Sequence, residues 1–136
     1  MSIESNKKLV RSFYEAIEQT KYDVAENLCH KEFVYYPQVN NPLLGAKGFV
    51  DIERKNMDPF EGFKMTIEAM VAEEDKVAVY LVFEGPQTGE FIGVPPTGKT
   101  VKFSFMTLLR IADGKIIEKR ATYDRYDILQ QLGVNL

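Results

Sequence analysis

The chain has 136 residues, 45% hydrophobic and 27% charged, with 17 Lys and Arg against 20 Asp and Glu. This fits one globular domain over residues 1–136 with a sizeable core, and the formal charge of -3 argues against an electrostatic nucleic-acid binder. A single cysteine, Cys29, and a single histidine, His30, exclude an internal disulfide and the usual zinc ligand set. With no apolar signal-like start and no run long enough to span a bilayer, the expected location is the cytoplasm, away from membranes.

Leu9, Val10, Phe13, Tyr14 and Ile17 recur at helical spacing, which predicts an amphipathic helix from about residue 4 to 19. Val24 and Leu28 indicate a second, short helix, and Phe33 to Tyr36 a short strand ended by Pro37. VNNPLLG reads as loop, and Phe49, Ile52 and Met57 as a third helix ending before Pro59. From Lys64 the period changes to two. Met65, Ile67, Ala69 and Val71 mark one strand, and Val77, Val79, Leu81 and Phe83 the next. A long connection, Gly85 to Gly98, leads to the longest strand, Val101 to Ile111. Asp113-Gly114 is a hairpin turn, the last strand runs from Lys115 to about Asp124, and Asp127 to Leu132 form closing helical turns. Helices followed by an antiparallel meander give an α+β fold, with helices on one face of a curved sheet and a pocket at its open end.

Some strands are apolar on both faces. Ala78, Tyr80 and Val82 oppose Val77, Val79 and Leu81, and Met106 and Leu108 oppose Phe105 and Thr107. Helices can cover only one face of such a sheet, so a second copy of the chain is expected on the other.

The connection contains GVPPTGKT, Gly93 to Thr100, which fits the phosphate-loop pattern G-x-x-x-x-G-K-[ST]. A true phosphate loop opens a helix and offers backbone N–H groups to the phosphates. Here TVKFSFMTLLRI alternates like a strand, and Pro95 and Pro96 have no N–H to give. The octet therefore reads as a stiffened link between two strands, with Gly93 and Gly98 allowing its bends.

Read with its flanks, the same segment carries a resemblance. GPQTGEFIGVPPTGKTVKF, then LLRIADGKIIEKRATYDRYDILQQLG, resembles the SnoaL-like polyketide cyclases of the NTF2-like superfamily. The matching pieces are Gly89 to Phe91, Gly93 to Gly98, Arg110 to Glu118, Asp124, and Gln131 to Gly133. The N-terminal half fits more loosely. The resemblance implies a cone-shaped α+β barrel with helices on the concave face of the sheet, a homodimer or higher oligomer, and an enclosed pocket. It also implies intramolecular aldol closure of a small hydrophobic carbonyl compound by an acidic residue, without metal or cofactor. A ketosteroid-isomerase-like reaction and a non-catalytic ligand-binding module are the alternatives. The family position for the acid/base is Asp124. Where family members often carry Trp and His, this chain has Arg120, Gln87 and Tyr36.

Side chains alternate along a strand, so Glu118, Arg120, Thr122 and Asp124 share a face of the last strand. A solvated charge row competes with a pocket wall as the explanation. An enolate needs hydrogen-bond donors, and Arg120, Tyr14, Tyr36 and Gln87 are the candidates. Met106, with Phe49, Phe60 and Phe63, is a candidate apolar lining. Cys29-His30 reads as a buried thiol beside a surface imidazole, and Glu53 as surface charge. The depth of Asp124 separates the readings: inside a pocket it favours catalysis, at the rim it favours binding.

Overall fold

The computed structural model describes residues 2–135. Its first helix, α1 (Ile3–Glu18), starts where Ser2 and Ser5 close a reciprocal capping box. Val10, Phe13, Tyr14 and Ile17 form its buried stripe, as their spacing predicts. Helix α2 (Tyr22–Asn27) is short, and strand β1 (Cys29–Tyr36) follows at once. The loop-like segment contributes a two-residue edge strand, β2 (Leu43–Leu44), before helix α3 (Ala46–Met57). Strands β3 (Lys64–Glu73), β4 (Lys76–Pro86), β5 (Thr100–Ala112) and β6 (Lys115–Tyr123) form the meander, and helix α4 (Arg125–Gln131) closes it.

The sheet order is β2-β1-β6-β5-β4-β3. The expected sheet was wholly antiparallel; β1 instead joins β6 in parallel, with Tyr35 beside Lys119 and Tyr36 beside Arg120. The long connection from β1 to β6, through β2, α3 and strands β3 to β5, makes that parallel pairing possible. Helix α1 packs on β3 and β4, α3 on β1, and α4 on β5. The inner face of the sheet carries the core: Val77, Val79, Leu81, Val101 and Leu109 are fully buried there.

Two strands change face partway along. In β3, Ile67 pairs with Leu81 but Ala69 with Tyr80, so Glu68 is an extra residue. Met65 and Ile67 face inward before it, and Met70 and Ala72 after it, which leaves Val71 exposed. In β6, Ile116 pairs with Ile111 but Glu118 with Arg110, so Ile117 is extra. An alternation counted from Ile116 therefore inverts, and Lys119, Ala121 and Tyr123 take the inner face opposite Leu109, Thr107 and Phe105. Glu118, Arg120 and Thr122 do share a face, but it is the outer one.

The GVPPTGKT connection is held by Gln87, which is fully buried. Its amide donates to the carbonyls of Gly89 (3.1 Å) and Val94 (2.9 Å), and its oxygen accepts from the Thr97 backbone (3.0 Å) and hydroxyl (2.7 Å). Gly93 and Gly98 sit at φ +77° and +74°, where a side chain is disfavoured. No helix follows the loop. Among the described residues, no helix is long and apolar enough to cross a membrane.

Candidate functional site

Beneath α3, the inner face of β4, β5 and β6 encloses a cavity of about 60 Å³ walled largely by Phe60, Phe83, Phe91, Phe103, Phe105 and Tyr123. Ring centroids along this wall lie 5.0–5.4 Å apart, from Phe60–Phe83 to Phe83–Phe103, in ordinary aromatic packing geometry. That volume takes a few water-sized groups, so it admits the end of a ligand rather than a whole one. Tyr35, Asn56, Ala121 and Tyr123 border both this cavity and an outer groove of about 730 Å³. The cavity and the groove are therefore neighbours that share this rim, the cavity being the narrower and more aromatic of the two.

Two charged side chains border the cavity: Glu53 from α3 and Lys119 from β6. Glu53 is 7% exposed and Lys119 2%. Helix α3 buries Phe49, Val50, Glu53 and Met57, so the carboxylate occupies a position of the apolar stripe. The surface charge expected of Glu53 is thus a buried acid. Lys119 is carried inward by the Ile117 bulge, between Tyr35 and Leu109. Its ammonium lies 4.6 Å from the Phe49 ring centroid and 5.4–5.8 Å from those of Tyr35, Tyr14 and Phe13, and these ring faces stabilise the cation in part. Burial pushes the Lys119 pKa below its ordinary value, and the Glu53 charge works against that shift. The ion pairs among the described residues lie elsewhere, so no direct salt bridge neutralises either group.

The residues singled out in the sequence fall in other places. Asp124 is exposed and follows β6 as the N-cap of α4, where its Oδ1 accepts from the Asp127 N–H at 3.1 Å. It borders neither the cavity nor the groove, because the strand stops before it and the bulge has already reversed the faces. Asp124→Ala is therefore expected to cost about 1 kcal/mol through the lost cap, measurable in urea unfolding.

Tyr36 and Arg120 are neighbours, but on the outer side: the guanidinium lies 3.9 Å over the Tyr36 ring and donates to Glu118 at 3.3 and 3.4 Å. Both line the groove rather than the cavity, and Tyr35 is the tyrosine that points inward. Met106 is 48% exposed on the outer face and lines neither space. Gln87 spends its amide on its own loop and has nothing left for a ligand. Tyr14 is buried behind Lys119, with its hydroxyl 2.7 Å from Thr107 Oγ1. Its pKa and that of Tyr35 are raised by burial, so both phenols stay neutral. Of the other proposed lining residues, Phe60 borders the cavity and Phe49 and Phe63 are core.

Cys29 is buried and its thiol is pushed up to about 12 by desolvation, which makes it inert at neutral pH. His30 is not free on the surface; its Nε2 meets Asp113 Oδ2 at 3.1 Å. Both belong to β1, where neighbours face opposite ways. Among the described residues, no three His, Cys, Asp or Glu side chains gather in a metal-ligand arrangement.

Comparison with known proteins places this geometry. AclR of Streptomyces galilaeus, described as a candidate hydroxylase, superposes with a TM-score of 0.89 at 25% identity, over 97% of this chain and 98% of that one. IdmH of Streptomyces antibioticus, described as a candidate polyketide cyclase, superposes with a TM-score of 0.84 at 25% identity, over 95% and 99%. The fold is the NTF2-like cone. The nogalonic acid methyl ester cyclase of Streptomyces nogalater is 40% identical over 57 residues, which spans 42% of this chain and 42% of that relative's length. A family model of SnoaL-like polyketide cyclases matches residues 7–132. With nearly its whole length inside that match, the chain belongs to the SnoaL-like polyketide cyclase family.

Proposed function

We propose that this protein performs acid/base chemistry of the aldol type on a small, largely apolar carbonyl compound. The body of the compound lies in the groove along Tyr36 and Arg120, and its carbonyl end enters the aromatic cavity. One observation carries this reading: the charged residues bordering the cavity are one carboxylate, Glu53, and one amine, Lys119. A carboxylate held among apolar walls removes a proton from the carbon next to a carbonyl, and a cation close by stabilises the enolate oxygen. This assigns to Glu53 the role that the family pattern gives to Asp124.

The test needs no native substrate. Wild-type protein is expected to exchange the α-protons of phenylacetone for deuterium in D₂O, followed by proton NMR, faster than buffer does. Binding of phenylacetone without exchange would favour the alternative, a ligand-holding module without turnover, to which the outward Asp124 also points.

The outer sheet face supports a second copy of the chain as partner. Tyr80 pairs with Met106 and Ala78 with Leu108 across β4 and β5, and Val71, Tyr80, Met106 and Leu108 are 39–67% exposed. An apolar strip of this kind on a sheet marks an interface. Sedimentation equilibrium is expected to return twice the 15.6 kDa chain mass, and Leu108→Lys to return the monomer. A wild-type monomer at micromolar concentration would remove the dimer.

A further inference from the structure

We propose that Lys119 is a nucleophilic amine that condenses with an aldehyde or ketone entering the cavity. The proposal rests on the carbonyl reading of the site and gives it a covalent form. Lysine side chains ordinarily reach water, and complete burial of one is rare unless it is paired. Lys119 is 2% exposed, borders the cavity, and has no salt bridge to Glu53. A fixed structural cation would be expected to hold an ion pair with the nearby carboxylate. Instead the amine stands on an aromatic floor made by Phe13, Tyr14, Tyr35 and Phe49, beside a cavity that shares its rim with the outer groove.

The chemistry balances without any further reagent. The nitrogen lone pair attacks the carbonyl carbon and forms a C–N bond, and the C=O π pair moves to oxygen, which takes a proton. Water supplies that proton, and the nitrogen gives one up. The proton that the ammonium released to water before the attack then returns to the carbinolamine hydroxyl, and loss of water yields the protonated imine. Ammonium and carbonyl have become iminium and water, with no change in oxidation state. The iminium has the same charge as the ammonium it replaces, so the same ring faces stabilise it. It is also a stronger electron sink than the carbonyl, which makes the adjacent proton easier for Glu53 to remove. Desolvation favours the free amine needed for attack. Glu53, Cys29, Tyr14 and Tyr35 are the titratable groups that face it. Of these Glu53 opposes the release of its proton, while Cys29, Tyr14 and Tyr35 are held neutral by burial.

The test uses benzaldehyde, which has no α-proton, with sodium cyanoborohydride to reduce any imine formed. Intact mass and peptide mapping are expected to show one benzyl group per chain, on Lys119. Each pKa unit of depression gives about tenfold more free amine at neutral pH, so Lys119 is expected to be labelled ahead of exposed lysines such as Lys47. Lys119→Arg, which keeps the cation, is expected to lose the label. Label distributed over the exposed lysines, with Lys119 spared, would overturn the proposal, and mapping on the wild-type protein decides this even if the variant does not fold. Phenylacetone exchange without benzaldehyde trapping would overturn the imine and leave the carbonyl reading standing. Trapping without exchange would leave the imine standing and remove the proton abstraction assigned to Glu53.

Discussion

Glu53→Gln is expected to slow α-proton exchange of phenylacetone by about 10²- to 10⁴-fold, the usual contribution of a positioned general base. Gln keeps the volume and shape of the side chain, so the packing of α3 between Phe49 and Met57 is preserved. What is lost is the capacity to accept a proton. The thermal midpoint is expected to hold or rise, because the native carboxylate is buried without a salt bridge and a neutral amide is cheaper to desolvate. Retained stability with lost exchange would separate a chemical role from a structural one. Asp124→Ala is the matched control. It removes a carboxylate that caps a helix in solvent, so it is expected to lower stability slightly and leave exchange near the wild-type rate. If the two variants behave the other way round, the base is Asp124 and the cavity end has been misassigned. A folded Glu53→Gln protein with undiminished exchange removes Glu53 from the reaction.

The sequence made the architecture legible because its signals are periodic. The stripe of α1, the alternation in β4 and β5, and the Asp113-Gly114 turn are each set by local rules, and all three appear where those rules put them. The site was less legible, and two residues explain why. Glu68 and Ile117 each insert one position into a strand. A one-residue slip sends every later side chain to the opposite face, so counting by twos along β6 put Arg120 in the pocket row with Asp124, the family position, and passed over Lys119. Nothing local in IIEKR reports the bulge, which is defined by pairing with β5. Glu53 did leave a signal. Phe49, Glu53 and Met57 stand at intervals of four, so the acid lies on the apolar stripe of its own helix. A carboxylate there is either buried or marks a break in the stripe, and its charged neighbours Asp51, Arg54 and Lys55 hid the pattern. Gln87 is a candidate donor in the sequence, but only the folded loop shows its amide already saturated.

Lys119→Met is expected to make stability less dependent on alkaline pH. Burial lowers the folded-state pKa of Lys119 below the ordinary lysine value of 10.5, which the unfolded chain retains. Between those two values the unfolded state binds more protons than the folded state, so wild-type stability gains from this residue as pH rises. Below the window the lysine is charged in both states, and the full cost of burying its charge weighs on the fold. Methionine fills a similar volume and has no proton to lose. The stability of Lys119→Met relative to wild type is therefore expected to be most favourable at the low-pH end of this window. It should fall as pH approaches 10.5, by about 1.4 kcal/mol for each unit of depression. Tyr14 and Tyr35 act in the opposite sense: their raised folded-state values remove stability above the ordinary phenol value of 10.0. Both proteins contain them, so subtracting one urea-unfolding series from the other isolates the lysine. A difference that stays flat from pH 7 to the lysine range would mean that Lys119 binds its proton as tightly in the fold as out of it, and the free amine needed for imine formation would then be scarce. A sloping difference would mean that the fold carries this amine at a cost in stability, which is the usual relation between a chemically active residue and the packing around it.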